Sequence, residues 1–230
     1  MPEWKAVLRA ATPSDFDAVR AFYKENPSKN VLGRDEMVER ACQDGRQFLV
    51  EVDGRIVATT GTYPIHDVLV EVGGTRVADA WQGFGLQDLL FRARFAAIVL
   101  TEDVSVRITT GVDLESAPES RHGIEKQGFE QWADLDPALL TECDPAPGRK
   151  GCEKKRCGLP TGAKCCCTFY LMPTPTLRER LKEFVELTQN SFFVPRTRKT
   201  DAAKMVVEIR CSSVTDPARR EVLVAFCRGE

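Results

Sequence analysis

Histidine is scarce in this sequence, and neither sign of charge is in excess. The 230 residues include two histidines, His66 and His122, which argues against a mechanism that depends on several imidazoles. The formal net charge is −2, with charges of both signs spread along the chain. Nothing in this balance indicates binding to nucleic acid or to an anionic membrane surface.

Long apolar segments are absent as well. No stretch approaches the roughly 20 apolar residues that a membrane-spanning helix needs, and residues 1–5 lack the apolar core of a secretion signal. We therefore expect a cytoplasmic protein that binds no membrane. With 43% hydrophobic residues, a chain of this length can bury a core without disulfides.

The first pattern in the chain is helical. Thr12 precedes a proline and stands three residues before Asp15, which is the pattern of a capped helix start. A shorter helix is expected over residues 34–42. Both elements precede the first strand patterns, so we expect two helices to lead into the sheet.

Two hairpins are expected next. Asp53-Gly54 separates the strand patterns at 47–52 and 55–62, and such a pair between apolar runs is a strong hairpin signal. Tyr63-Pro64 is expected to end the second strand. A second hairpin is then expected over residues 67–80, with its turn at Gly73-Gly74.

A glycine-bearing turn, Gln82 to Gln87, joins the last of these strands to a long helix beginning near Asp88. Glycines at 83 and 85 remove Cβ atoms and permit positive φ angles, so that backbone N–H groups can surround an anion. The first turn of the following helix adds unsatisfied N–H donors and the positive end of a dipole. The segment therefore predicts a pyrophosphate-binding site, although many strand–glycine–helix turns bind nothing.

The order of elements and two short motifs resemble the GNAT N-acetyltransferase superfamily. Gln82 and Gly85 match the first two fixed positions of that family's pyrophosphate signature, and Gln87 stands where the family keeps Gly or Ala. Residues 124–129, Ile-Glu-Lys-Gln-Gly-Phe, resemble the end of a family helix and its Gly-Phe turn. The resemblance covers roughly residues 5–135, with a last strand near 165–172.

The resemblance implies an α+β fold with a mixed, mostly antiparallel, splayed sheet flanked by helices. It implies that acetyl-CoA or another acyl-CoA enters the split and that the acyl group passes directly to a primary amine within a ternary complex. A backbone N–H near Val77 and Ala78 would hold the acyl carbonyl. The cofactor-binding residues implied are Val77, Ala78, Gln82, Gly83, Phe84, Gly85, Leu86, Gln87 and Asp88.

Several carboxylates are candidates for the base that such a transfer needs. Asp79 is the first choice because it ends the strand that meets the cofactor, and Glu71 and Glu51 follow, with His66 as a further candidate. Each of these also has an ordinary structural interpretation as a turn, surface or strand residue. The family's usual tyrosine acid is replaced by Ile124, and a thiolate with a conjugate-acid pKa of roughly 8.5 can leave without it.

Six of the nine cysteines lie between residues 143 and 167, among many lysines and arginines. Four thiolates could hold zinc or an iron–sulfur cluster, and the candidate ligands are Cys143, Cys152, Cys157 and Cys165. Their spacings lack a CxxC pair, so a basic loop with incidental thiols is the main alternative and a redox-sensing loop is another.

These patterns predict three parts of the chain. Residues 1–140 are expected to form a GNAT-like acyl-CoA-binding domain, residues 141–168 a Cys-rich basic loop leading into the last strand, and residues 169–230 a C-terminal extension. Three functions stay open: an acyltransferase with a small-molecule or protein amine as acceptor, a catalytically silent acyl-CoA-binding module, and a metal-binding interaction protein. A homodimer is a further expectation.

Overall fold

The computed structural model describes residues 3–27, 35–102, 107–112, 118–133, 168–188, 192–193 and 204–230. One sheet of nine strands runs through these residues, in the order β6-β7-β5-β4-β3-β2-β1-β9-β8. The strands are β1 Glu3–Ala10, β2 Gln47–Val52, β3 Arg55–His66, β4 Leu69–Val77, β5 Arg107–Val112, β6 Glu130–Gln131, β7 Thr168–Leu171, β8 Phe192–Phe193 and β9 Lys204–Ile209. Two pairings, β1 with β9 and β4 with β5, are parallel, and the other described pairings are antiparallel.

Helices cover both faces of the sheet. They are α1 Phe16–Glu25, α2 Asp35–Gln43, α3 Leu86–Thr101, α4 Pro118–Lys126, α5 Thr174–Leu187, α6 Ser212–Thr215 and α7 Pro217–Arg228. α1 and α2 pack on Leu49 of β2 in one apolar cluster. The larger core lies on the other face, where α3, α5 and α7 meet. This arrangement confirms the predicted fold class.

The first helices and the first hairpin form as the sequence predicts. Thr12 and Asp15 make the predicted capping box at a short 3-10 turn that leads into α1. β2 and β3 pair around Asp53-Gly54, with Gly54 at φ +73°. Residues 221–227, whose apolar pattern fits either a strand or a helix, lie within α7.

The predicted second hairpin is wrong. Pro64 does not end its strand, because β3 continues to His66 and the chain turns back at residues 67–68 into β4. Gly73-Gly74 is a bulge within β4: the pairing moves from Thr59↔Arg76 to Gly61↔Gly73, two residues on β3 and three on β4. Gly74 has φ +61°, a conformation that glycine adopts without steric cost and that suits a bulge as well as a turn.

Strands from the C-terminal part of the chain complete the same sheet. β9 pairs with the whole length of β1 from Glu3 to Leu8, and β7 pairs with β5. Leu223 of α7 is fully buried in the larger core. None of the described helices is long and apolar enough to cross a membrane.

Candidate active site

β4 and β5 pair over a short length and then separate. They pair only from Leu69↔Arg107 to Glu71↔Thr109. Beyond that point β5 pairs with β7 alone, and β4 from Val72 to Val77 has no β5 partner in the described sheet. The strands therefore open a split with Glu71 at its apex, as the sequence predicted for a splayed sheet.

The bulge in β4 lies beside this apex and is held by side chains from both faces. Arg94 of α3 donates from Nη1 to the carbonyl oxygens of Gly61 and Gly73, at 3.3 and 3.2 Å. Tyr23 of α1 donates its hydroxyl proton to the Gly74 carbonyl oxygen at 2.6 Å. These contacts satisfy carbonyl groups that a bulge removes from the regular ladder.

Burial shifts the ionisation of these supporting groups. Arg94 is fully buried and has no carboxylate within ion-pair distance among the described residues. Its desolvation lowers the pKa of the guanidinium to about 9, while its plane lies over Phe91 at 4.2 Å from the ring centroid. Desolvation also raises the pKa of Tyr23 to about 12, so this hydroxyl stays a proton donor.

Arg94 was not identified from the sequence, although a signal was present. It stands four residues after Leu90 and three before Ala97, so in the predicted helix it lies on the same face as these apolar residues. A charged residue at such a position either pairs or makes buried hydrogen bonds. That rule marks the position, but it does not identify the two carbonyl partners.

The glycine turn has the backbone geometry that anion binding requires. Gly83 and Gly85 have φ angles of +84° and +74°, and Gly85 is the N-cap of α3. No described side chain caps this end of the helix. The first N–H groups of α3, from Leu86 to Asp88, have no intrahelical acceptors and point out of the helix end.

Gln87, the departure from the family signature, leans toward α4. Its side chain is exposed, and its Nε2 atom lies 3.8 Å from the place where a Cβ on Gly123 would stand. Gln87 therefore crosses part of the space between the N-terminus of α3 and α4. A smaller residue would leave that space open.

Asp79 lies at the turn, far from the apex of the split. Its side chain is 81% exposed and accepts from Arg76 at 3.0 Å and from Gln82 at 2.9 Å. From Glu71 to Val77, β4 spans roughly 20 Å at the usual strand rise. Asp79 thus lies with the residues of the glycine turn, where its contacts stabilise the backbone leading into Gln82.

The backbone beside Asp79 is only partly free to bind a ligand. Ala78 donates its N–H to the Val57 carbonyl oxygen at 2.9 Å, so this group is used within the sheet. Val77 pairs with Ala58 in the β3–β4 register, and because the adjacent residues Val57 and Ala78 are hydrogen-bonded, the Val77–Ala58 pair is a non-hydrogen-bonded one. Of the two residues predicted to hold the acyl carbonyl, Val77 is therefore the one whose N–H can face the split.

Glu71 occupies the apex itself. It is half-buried on β4 opposite Thr109, and its Oε1 atom accepts from the Gly111 N–H of β5 at 3.4 Å. This contact crosses the split just where the strands separate. Glu71 is therefore the only one of the three predicted carboxylates that the structure places between β4 and β5.

Glu51 belongs to a separate ion network that joins β1 and β2 to the start of α1. Arg9 donates to Glu51 at 2.7 and 2.9 Å and to Asp15 at 2.8 Å. Hydrogen bonds from Arg9 hold the pKa of Asp15 well below its usual range. The described contacts of Glu51 are those of a carboxylate that fastens β1 and β2 to the start of α1.

The predicted metal ligands, Cys143, Cys152, Cys157 and Cys165, lie outside the described residues, as does the side chain of His66. Among the residues that the structure does describe, no group of histidine, cysteine, aspartate and glutamate could hold a metal ion. Cys42 and Cys211 are buried thiols. Ile124, at the position of the family's tyrosine acid, is buried in the larger core.

Comparisons with known proteins bear on the fold. No protein-family profile matches the sequence, and no curated protein is similar to it in sequence. The chain is similar to the solved structure of Rv2747 from Mycobacterium tuberculosis in complex with CoA and NLQ, at 17% identity and a TM-score of 0.50 over 72% of this chain and 98% of that one.

Two further solved structures are similar at lower scores. One is the diaminobutyrate acetyltransferase EctA from Paenibacillus lautus, solved with L-2,4-diaminobutyric acid and coenzyme A, at 14% identity and a TM-score of 0.48 over 74% of this chain and 96% of that one. The other is a GNAT-family acetyltransferase from Bacillus cereus, at 13% identity and a TM-score of 0.44 over 73% and 96% of the two chains. The splayed sheet, the bulged β4, the glycine turn before α3 and the similarity to Rv2747 together show that this chain has the GNAT-type N-acetyltransferase fold.

Proposed function

We propose that this protein is an acyltransferase that moves an acyl group, most simply acetyl, from CoA to a primary amine. The observation that carries the proposal is the split between β4 and β5, which has an anion-binding turn at one end and a carboxylate at the other. A thioester of CoA has the matching parts, since a long uncharged arm separates its pyrophosphate from its acyl group. The mycobacterial protein that shares the fold was solved with CoA.

The cofactor would lie along β4. Its pyrophosphate would accept hydrogen bonds from backbone N–H groups of residues 82–88, where the positive φ angles at Gly83 and Gly85 and the N-terminus of α3 favour an anion. Its pantetheine arm would pair with the free edge of β4 between Val77 and Val72. The acyl carbonyl would then reach the bulge, where a backbone N–H stabilises negative charge on its oxygen.

Glu71 is the base that this placement favours. An ammonium acceptor must lose a proton before or during attack on the thioester carbonyl, and a carboxylate at the reacting end can take that proton directly or through one water. Asp79 is at the pyrophosphate end, and a carboxylate there repels the cofactor's own charge. Glu51 is held by Arg9 in an ion pair between β1 and β2.

No tyrosine acid stands on α4, so the leaving thiolate would depart unprotonated. Its conjugate acid has a pKa of roughly 8.5, which makes thiolate a tolerable leaving group near neutral pH. The buried Ile124 also favours a second candidate function, a catalytically silent module that binds acyl-CoA as a sensor or scaffold. Both candidates need the same cofactor site and differ only in turnover.

Release of free CoA thiol from acetyl-CoA in the presence of a panel of primary amines separates these candidates. An active enzyme releases thiol with at least one class of amine, whereas a silent module is stabilised against heat by acetyl-CoA and releases none. The acceptor is expected to be a small molecule or a protein amine. The Cys-rich loop would carry a third, metal-dependent function only if elemental analysis of reduced protein found zinc or iron.

Substitution of the two competing carboxylates identifies the base. We expect Glu71→Gln to lower kcat by roughly 10²-fold or more, with stabilisation by acetyl-CoA unchanged. Asp79→Asn is the matched control, and we expect it to keep kcat within a few-fold. Loss of turnover in Asp79→Asn with normal turnover in Glu71→Gln would reverse the assignment.

A further inference from the structure

Three aromatic side chains meet beside the pyrophosphate turn. Trp4 of β1 meets Trp81 edge to face, with ring centroids 5.2 Å apart and planes at 77°. Trp81 meets Phe84 with centroids 6.0 Å apart and planes at 47°. We call these three residues the aromatic platform.

The platform is partly open to solvent. Trp4 is 38% exposed and is one of three large apolar side chains exposed to this degree among the described residues. Trp81 and Phe84 are half-buried and pack against the larger core with their inner edges. An exposed tryptophan fixed against a second ring offers a rigid aromatic surface at small entropic cost.

The location of the platform links it to the anion-binding backbone. Trp81 is two residues before Gly83, so their Cα atoms are at most about 7 Å apart, and Phe84 lies between Gly83 and Gly85, with its Cα atom about 3.8 Å from each of theirs. Trp4 is on the same face of β1 as Ala6 and Leu8, which are buried beneath α3. All three rings are therefore on the face of the sheet from which α3 begins.

A ligand held by its pyrophosphate at this turn carries a second group within reach of the rings. In CoA that group is the adenosine 3′-phosphate moiety, whose base has an exposed π-face. Bases stack on aromatic side chains with a gain that is independent of their hydrogen-bonding edges. A phosphopantetheine thioester, which keeps one phosphate but lacks the nucleotide, would leave the platform uncovered.

We propose that Trp4, Trp81 and Phe84 form a subsite on which the adenine base of acyl-CoA stacks. The proposal rests on the proposed binding of acyl-CoA and adds a binding site for the nucleotide end of the donor. The donor is a nucleotide thioester, and a thioester of 4′-phosphopantetheine, as on a carrier protein, is the weaker ligand.

Two ligands and three variants test this subsite in the full chain. Dissociation constants are measured by calorimetry for acetyl-CoA and for S-acetyl-4′-phosphopantetheine, and tryptophan fluorescence is recorded in the same titrations. We expect wild-type protein to bind acetyl-CoA about tenfold or more tightly than the truncated thioester and to show fluorescence quenching with acetyl-CoA alone.

Trp4→Leu removes the exposed ring and should fold normally because Trp4 is at the surface. We expect this variant to lose most of the preference for acetyl-CoA and to bind the truncated thioester as wild type does. Trp4→Phe should keep part of the preference. Trp132→Leu, which removes a tryptophan that contacts Arg107 instead of the turn, should keep all of it.

The outcomes distinguish this subsite from the proposed function. If acetyl-CoA binds wild type and Trp4→Leu equally, the subsite is overturned and the proposed function stands. If neither thioester binds wild-type protein at millimolar concentration, both are overturned.

Discussion

Gln87 is the residue at which this chain departs most clearly from the pyrophosphate signature. Its side chain extends from the first turn of α3 toward Gly123 of α4, across the space beside the N–H groups proposed to hold the pyrophosphate. We expect Gln87→Ala and Gln87→Gly to lower the dissociation constant of acetyl-CoA several-fold in calorimetry, because both substitutions open that space.

The two variants control for each other. Glycine within a helix lowers stability by roughly 1 kcal/mol relative to alanine, so the thermal midpoint of Gln87→Gly should fall below that of Gln87→Ala while both bind more tightly. Unchanged or weaker binding in both variants would show that Gln87 does not obstruct the site.

Asp15 gives a pH-dependent contribution to stability. Arg9 lowers the pKa of this carboxyl in the folded protein, below the value of about 4 expected in the unfolded chain. The folded state is therefore stabilised above pH 4, and the stabilisation is lost as pH falls through the lowered pKa. We expect Asp15→Asn to reduce the free energy of unfolding at pH 7 and to differ progressively less from wild type between pH 4 and pH 2.

Asp17, an exposed carboxylate in the first turn of α1, is the matched control for this measurement. Asp17→Asn should give only a small difference in the free energy of unfolding at pH 7, measured by urea unfolding. A difference for Asp15→Asn that grew as the pH fell would contradict the assigned direction.

At the scale of single residues, the sequence predicts which glycines shape the backbone better than it predicts what the charged side chains contact. The glycines of the turn are recognisable because few residues other than glycine adopt positive φ angles readily. The choice among Glu71, Asp79 and Glu51 depends on where β4 leaves β5 and on where Arg9 points, and neither fact is local in sequence. For the same reason the contacts of Arg94 with two carbonyl groups could not be predicted.

The bulge in β4 is the element on which the proposed position of the acyl group depends. A Cβ on Gly74 would stand 2.9 Å from the hydroxyl oxygens of both Tyr23 and Tyr63, and its φ is +61°. We expect Gly74→Ala to lower the free energy of unfolding by about 1–3 kcal/mol and to weaken acetyl-CoA binding, because the bulge must shift to accept the methyl group.

Gly54→Ala is the control that separates the effect of an unfavourable φ angle from the effect of crowding by neighbouring atoms. Gly54 also has a positive φ, at +73°, but nothing lies within 4 Å of a Cβ placed there. Gly54→Ala should therefore show the smaller loss in urea unfolding and no change in binding. Equal losses in the two variants would mean that the tyrosine hydroxyls move aside freely.

Most elements were predictable from local pattern, and the second hairpin shows where local pattern is insufficient. Gly73-Gly74 between apolar residues is compatible with a turn and with a bulge. The structure contains the bulge because the long strand lets β3 and β4 pair on both sides of it. Pro64 is tolerated in β3 because β2 pairs with β3 only as far as Gly61, so the strand there has one neighbour.

At the scale of the whole molecule, the C-terminal strands and helices belong to the same sheet and core as the N-terminal part. Met205, Val207 and Ile209 of β9 are fully buried beside β1, and so is Leu223 of α7. We expect deletion of residues 204–230 to abolish cooperative thermal unfolding, because it uncovers β1 and the large apolar cluster. A truncated chain with a sharp transition close to that of the full chain would contradict this.

The fold and the glycine turn before α3 could be predicted because element order and glycine-bearing turns are recognisable from short stretches of sequence. The acceptor site could not, because it depends on which side chains the splayed sheet and its flanking helices bring together. The pairing of β9 with β1 could also not be predicted from local sequence, since a parallel pairing between residues about 200 positions apart leaves no periodic signal.

A crystal structure of the protein with acetyl-CoA tests the central claim most directly. The proposed function predicts the pyrophosphate within hydrogen-bond distance of backbone N–H groups of residues 82–88, the pantetheine arm along the free edge of β4, and the acyl carbon beside the bulge and Glu71. Density for acetyl-CoA elsewhere on the molecule, with the split between β4 and β5 empty, would contradict it.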